Sequence, residues 1–103
     1  MSEELKNIEK EYKNFYEKIE YIDENTIYMH IKIDDNKDKI SNLKDNYLNL
    51  YIKFHSNYFE VLNENLNGEK KFDCMEQIFN TFCPFTFKKY IIKNIKHKLN
   101  SDL

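Results

Sequence analysis

The chain has 103 residues, of which 33% are charged and 41% are apolar; its net charge is −2 and its mean hydropathy −0.81. This length predicts a single domain or one long assembly element. A single glycine and a single proline exclude a glycine-rich phosphate loop and argue against a turn-rich β-sandwich or barrel. All 16 basic residues are lysine, a bias typical of a very AT-rich genome.

Neither a membrane span nor a secretory signal is expected. No run approaches the roughly 18 apolar residues of a membrane-spanning helix, and the acidic start lacks the apolar core of a signal peptide. The cysteines, Cys74 and Cys83, are too few for a secreted disulfide scaffold. On a continuous helix they would lie on opposite faces, too far apart to bond to each other. The cytosol or nucleus is the expected compartment.

The first third of the chain has apolar residues at alternating spacings of three and four. The series comprises Leu5, Ile8, Tyr12, Phe15, Ile19, Ile22, Thr26, Met29 and Ile33. Such a series is typical of a coiled-coil seam and predicts a helix over 3–33, about 45 Å long from the helical rise. A domain of this size would not cover so long a stripe by itself, so we expect a partner to bury the remainder.

A second helix is predicted over 39–62, after a polar break at 34–39 in which Asn36 or Asp38 could cap it. Its seam comprises Ile40, Leu43, Tyr47, Leu50, Phe54, Asn57 and Val61. A second stripe beside it comprises Leu48, Tyr51, Tyr58 and Leu62. Two stripes predict contacts with two neighbouring helices. Asn57 is either a buried residue that sets the register or an exposed end of the seam.

A third helix is predicted over 73–99, after a break at 63–71 that contains Gly68. Pro84 interrupts it, either as a kink or end or as the first residue of a further helix. The fold prediction is therefore all-α: one domain over 1–103, built as a long antiparallel helical hairpin or three-helix coiled-coil bundle.

Charge is distributed unevenly along the chain. Residues 1–35 carry 10 acids and 5 lysines, 36–83 carry 7 acids and 6 lysines, and 84–103 carry 5 lysines and 1 acid. The C-terminal lysines are Lys88, Lys89, Lys93, Lys96 and Lys98. They are candidate contacts for the chain's own acidic start, for a partner subunit, or for an acidic polymer such as nucleic acid or a tubulin surface. A solvated helix face is the alternative.

Catalytic chemistry is not expected from this sequence. His30, His55 and His97 lack the spacing of a zinc site, and there is no serine–histidine–acid grouping or activated cysteine. We predict that the chain is not an enzyme and has no cofactor, metal or small-molecule substrate.

One family pattern accompanies the predicted second helix. The segment 43–54, LKDNYLNLYIKF, resembles the second helix of the small second subunit of the spindle and kinetochore-associated (Ska) complex. The segments 20–22, 27–28 and 31–32 are similar to the family's acidic-Tyr-Ile and Tyr-x-Ile-Lys steps. The resemblance covers about residues 5–60.

The resemblance implies a nuclear scaffold at the kinetochore and spindle. The chain would join larger coiled-coil subunits in an obligate hetero-oligomer, associate indirectly with microtubules, and serve chromosome segregation in mitosis and cell division. Its partner interface would be the seam: Leu5, Ile8, Tyr12, Phe15, Ile19, Ile22, Met29, Ile33, Leu43, Tyr47, Leu50, Tyr51, Phe54 and Val61.

A second resemblance gives the alternative. Residues 77–84, QIFNTFCP, look like the Cys-Pro helix of the twin-cysteine, coiled-helix subunit of mitochondrial cytochrome oxidase, although the first cysteine pair of that family is missing. This resemblance implies a helical-hairpin accessory subunit of a respiratory complex in the mitochondrion.

Overall fold

The computed structural model describes residues 3–38, 46–66 and 68–101 and shows an α+β fold. Its helices are α1 (Glu3–Glu11), α2 (Met75–Phe82) and α3 (Pro84–Ser101), and a 3₁₀ turn spans Asn36–Asp38. Its strands are β1 (Lys18–Asp23), β2 (Thr26–Lys32), β3 (Tyr47–His55), β4 (Tyr58–Val61) and β5 (Lys71–Phe72).

The five strands form one antiparallel sheet in the order β1-β2-β3-β4-β5. Short polar turns close its tight hairpins without glycine. In the β1–β2 turn the amide of Asn25 donates a hydrogen bond to the Asp23 carboxylate at 2.8 Å, an arrangement that mimics a backbone turn. In the β3–β4 turn Ser56 has φ +36, and Asn57 is exposed beside it.

The two faces of the sheet differ in chemistry because successive side chains point to opposite sides. The inner face is apolar and fully buried: Ile27, Met29 and Ile31 on β2, and Leu48, Leu50 and Ile52 on β3. The outer face carries aromatic and polar side chains. There Tyr28 pairs with Tyr51 across the strands, and the Tyr28 hydroxyl donates to Asn49 Oδ1 at 2.8 Å.

The helices supply the rest of the core against the inner face. Leu5 and Ile8 of α1 are buried in the same cluster as the inner strand residues. An aromatic cluster connects the segment between α1 and β1 to α2 and α3: the Phe15 and Phe79 ring centroids are 4.7 Å apart, and those of Phe79 and Phe87 are 5.1 Å apart. The sheet, α1, α2 and the start of α3 therefore share one hydrophobic core.

The prediction of an all-α bundle is wrong. Only residues Glu3–Glu11 of the predicted helix 3–33 are helical, since β1 and β2 follow. The part of the predicted helix 39–62 that the structure describes forms β3 and β4, and the region 73–99 contains α2 and most of α3. The same stretch also has apolar residues at every second position, namely Ile27, Met29, Ile31 and Ile33. This alternation is typical of a strand, so the sequence is compatible with a strand as well as with a helix.

Candidate partner-binding surface

The first half of α3 is held firmly in the fold. Pro84 is its first residue, where a missing amide proton is not needed. The Asp38 carboxylate accepts hydrogen bonds from the amides of Phe85, at 3.1 Å, and Thr86, at 2.5 Å. These amides have no partner within the helix, so Asp38 acts as a remote N-cap. Phe87 is 2% exposed within the core.

The second half of α3 leaves the core. Residues 91–95 are all exposed, and the helix continues to Ser101. Large apolar side chains stand out from this helix at four exposed positions: Phe85, Ile91, Ile92 and Ile95. At 100° per residue they lie within an arc of about 120°, on the opposite side from Cys83 and Thr86. We call these four side chains the outer stripe.

Lysines accompany the outer stripe. Lys88 falls within the same arc and Lys89 lies beside it, whereas Lys93 is on the side of the helix that carries Thr86. The Lys89 amine is 3.4 Å from the Asp35 carboxylate, whereas Lys88 and Lys93 form no ion pair with any residue in the described ranges. The backbone of α3 carries Lys96 and Lys98, whose side chains are outside the described part of the structure. Residues 84–101 contain no acid.

The residues predicted as a partner seam are mostly buried in the chain's own core. The buried ones are Leu5, Ile8, Tyr12, Phe15, Met29, Ile33, Leu50 and Val61. Ile19 and Phe54 are half-buried and pack against that core, and Tyr47 is half-buried. Leu43 lies outside the described residues. Only Ile22 and Tyr51 are exposed. The prediction that these residues form one continuous helical surface is therefore wrong, because they are divided between α1, the sheet and the connecting segments.

The outer stripe was not among the predicted interface residues. The four-residue recurrence of Phe87, Ile91 and Ile95 is visible in the sequence. In the structure Phe87 is buried while Ile91 and Ile95 are exposed. The sequence signal for this difference is that α3 carries two apolar arcs. A helix that packs against the core on one side needs only one apolar arc, so the second arc indicates an exposed apolar surface.

The sites considered for chemistry are separated in the structure. Cys83 is buried and Cys74 is exposed, and both are free. Burial raises the pKa of the Cys83 thiol, with the Asp38 charge adding to the effect, so Cys83 is held as the thiol rather than the nucleophilic thiolate. Within the described ranges, no three His, Cys, Asp or Glu side chains are grouped as a metal site requires.

None of the helices in the described part of the chain combines the length and apolar character that crossing a membrane requires. The sequence matches no protein-family model, no curated protein and no solved structure. The function is therefore inferred from the chain's own residues.

Proposed function

We propose that this chain is a protein-interaction module whose helix α3 binds an acidic amphipathic helix of a partner protein. The observation that carries the proposal is the outer stripe: Phe85, Ile91, Ile92 and Ile95 are each 40–52% exposed. Clustered apolar exposure of this kind is typical of interaction surfaces. From the predicted function we retain assembly through helix–helix contact; the kinetochore and mitochondrial roles remain predictions.

The shape of the stripe suits a helical partner. At 18 residues, α3 is about 27 Å long, and its exposed isoleucines are spaced one and three or four residues apart. Branched isoleucine side chains at this spacing pack well between the side chains of a facing helix. An apolar stripe on the partner would cover them.

The charge of α3 favours an acidic partner over a second copy. Lys88, Lys89, Lys93, Lys96 and Lys98 lie on one helix without an acid. Pairing two copies of α3 would bring like charges together, which opposes association. A partner helix with glutamates beside its apolar stripe would attract the same lysines and speed the encounter.

An anionic membrane surface fits less well. Lys88 lies inside the apolar arc, between the directions of Ile91 and Ile92. If the helix lay flat on a bilayer, the Lys88 side chain would have to bend so that its amine reached the headgroups and avoided the apolar layer. On a protein helix, a glutamate opposite Lys88 would pair with it.

Two designed peptides test the proposal with the full chain. Both carry leucine at heptad positions a and d; one carries glutamate and the other lysine at the flanking positions. We expect the acidic peptide to bind, measured by fluorescence anisotropy, and binding to weaken as salt is raised. Ile91→Ser/Ile95→Ser should weaken it at least about tenfold, since central apolar contacts dominate such interfaces.

Ile22→Ser is the matched control, because Ile22 is an isoleucine of similar exposure, 55%, on β1 instead of α3. Equal binding of the two peptides, or no binding of either, would overturn the proposal. Two other results would replace it. Binding to phosphatidylserine vesicles without peptide binding would indicate a membrane surface, and self-association lost on Ile95→Ser would indicate a second copy.

A further inference from the structure

A cleft of about 540 Å³ opens beside α3, within the range of small-molecule sites. The turn between α1 and β1 forms one wall with Asn14 and Glu17, and the end of β2 contributes Lys32 and Asp34. The wall from α3 comprises Thr86, Lys89, Tyr90, Ile92 and Lys93. Parts of the chain that are distant in sequence therefore meet here.

The cleft contains charges of both signs that do not neutralise one another. Lys32, Lys93, Glu17 and Asp34 line it, and none of the four forms an ion pair with a described residue. Lys89 differs, because its amine is engaged by Asp35 at 3.4 Å and by the Asp34 carbonyl oxygen at 3.3 Å. Two cations and two carboxylates, all of them solvent-exposed, are thus available to a ligand in the cleft.

The walls also provide an apolar surface. The rings of Phe15 and Tyr90 both line the cleft, with centroids 5.0 Å apart. Tyr90 is held in place because its hydroxyl donates to the Glu11 carbonyl oxygen at 3.3 Å. A flat or branched apolar group could pack against these rings.

We infer that the cleft binds a small zwitterion with an apolar side chain, of the amino-acid class. Lys32 and Lys93 take its carboxylate, Glu17 and Asp34 take its ammonium group, and the Phe15 and Tyr90 rings contact its side chain. This ligand uses every unpaired charge of the cleft, which a simple anion or cation does not. It departs from the expectation of no small-molecule substrate.

Four probes dissect the site by calorimetry or amide chemical shifts: L-phenylalanine, 3-phenylpropionate, phenethylamine and glycine. We expect phenylalanine to bind best, because each of the other three lacks the ammonium, the carboxylate or the aromatic group. If 3-phenylpropionate binds as tightly as phenylalanine, the cleft recognises only the carboxylate and is an anion site. If phenethylamine binds as tightly as phenylalanine, the cleft recognises only the ammonium group and is a cation site. No binding of phenylalanine would overturn the inference.

Two variants should separate the charges. Lys93→Gln should weaken phenylalanine and 3-phenylpropionate at least about fivefold and leave phenethylamine unchanged. Glu17→Gln should weaken phenylalanine and phenethylamine and spare 3-phenylpropionate. The matched controls are Lys13→Gln and Glu24→Gln, exposed positions outside the lining. If either cleft variant affects both single-charge probes alike, the charge assignment is wrong.

The cleft shares Lys89, Ile92 and Lys93 with the proposed partner-binding surface, but Ile91 and Ile95 are not in its lining. Ile91→Ser/Ile95→Ser should leave phenylalanine binding unchanged, so failure of one proposal is distinguishable from failure of the other.

Discussion

The two halves of α3 belong to one continuous helix and yet have opposite environments. Near its start, Phe87 is in the aromatic core and Asp38 caps the amides of Phe85 and Thr86. From Ile91 to Ile95 every side chain is exposed. The difference shows that helix formation and helix burial are separate requirements here. The core anchors the first two turns, and the remainder extends from that anchor as a presented surface.

This contrast predicts that substitutions of equal size have unequal effects along the helix. Phe87→Ala should lower the free energy of unfolding by about 3–5 kcal/mol, because it leaves a cavity in the core. Urea denaturation measures the change. The matched control is Phe85→Ala, since Phe85 is on the same helix but 40% exposed.

For Phe85→Ala we expect a loss below about 1 kcal/mol, part of it from the Lys37 amine 5.0 Å above the ring. Similar losses at the two positions would show that the start of α3 is not anchored in the way described.

The anchor itself is tested at Asp38. Asp38→Ala removes the acceptor of two amides at the helix start and should cost about 1–2 kcal/mol. Asp38→Asn keeps one carbonyl oxygen and should cost less. Amide hydrogen exchange at Phe85 and Thr86 should accelerate in both variants; unchanged exchange at these two amides would contradict the remote cap.

The smallest effect is expected in the second half. Ile95→Ser should change the free energy of unfolding by no more than about 0.5 kcal/mol, because the residue is 52% exposed and contributes little to the core. Urea denaturation beside Phe87→Ala provides the comparison. A loss above about 2 kcal/mol would place Ile95 in the core and remove the outer stripe as a free surface.

The sequence predicted parts of this architecture well. A helix at the acidic start and a helical region after residue 73 are present, and Pro84 marks a boundary between two helices. The local reason is strong: proline disrupts a helix interior and fits a helix start. The clustering of lysines after residue 84 is likewise visible in the sequence alone.

The sequence pattern predicts helices where the structure has strands because both faces of β2 and β3 carry large side chains. On β2 and β3, inward isoleucines and leucines alternate with outward tyrosines, so a three-four series can be selected from residues that alternate in the fold. The scarcity of glycine also favours a prediction of long helices, since it suggests few chain reversals. The hairpins turn instead at Asp23–Asn25 and Ser56–Asn57, where short polar residues stabilise the reversal.

What the sequence determines by itself is local: the start of α3 at Pro84, its lysines and its two sets of apolar residues. Only the tertiary structure decides which set is covered. Asp38 reaches Phe85 from 47 residues away, and the cleft joins Lys32 to Thr86 and Lys93. Such contacts depend on how the sheet and helices pack, because no local pattern records which distant segments will meet.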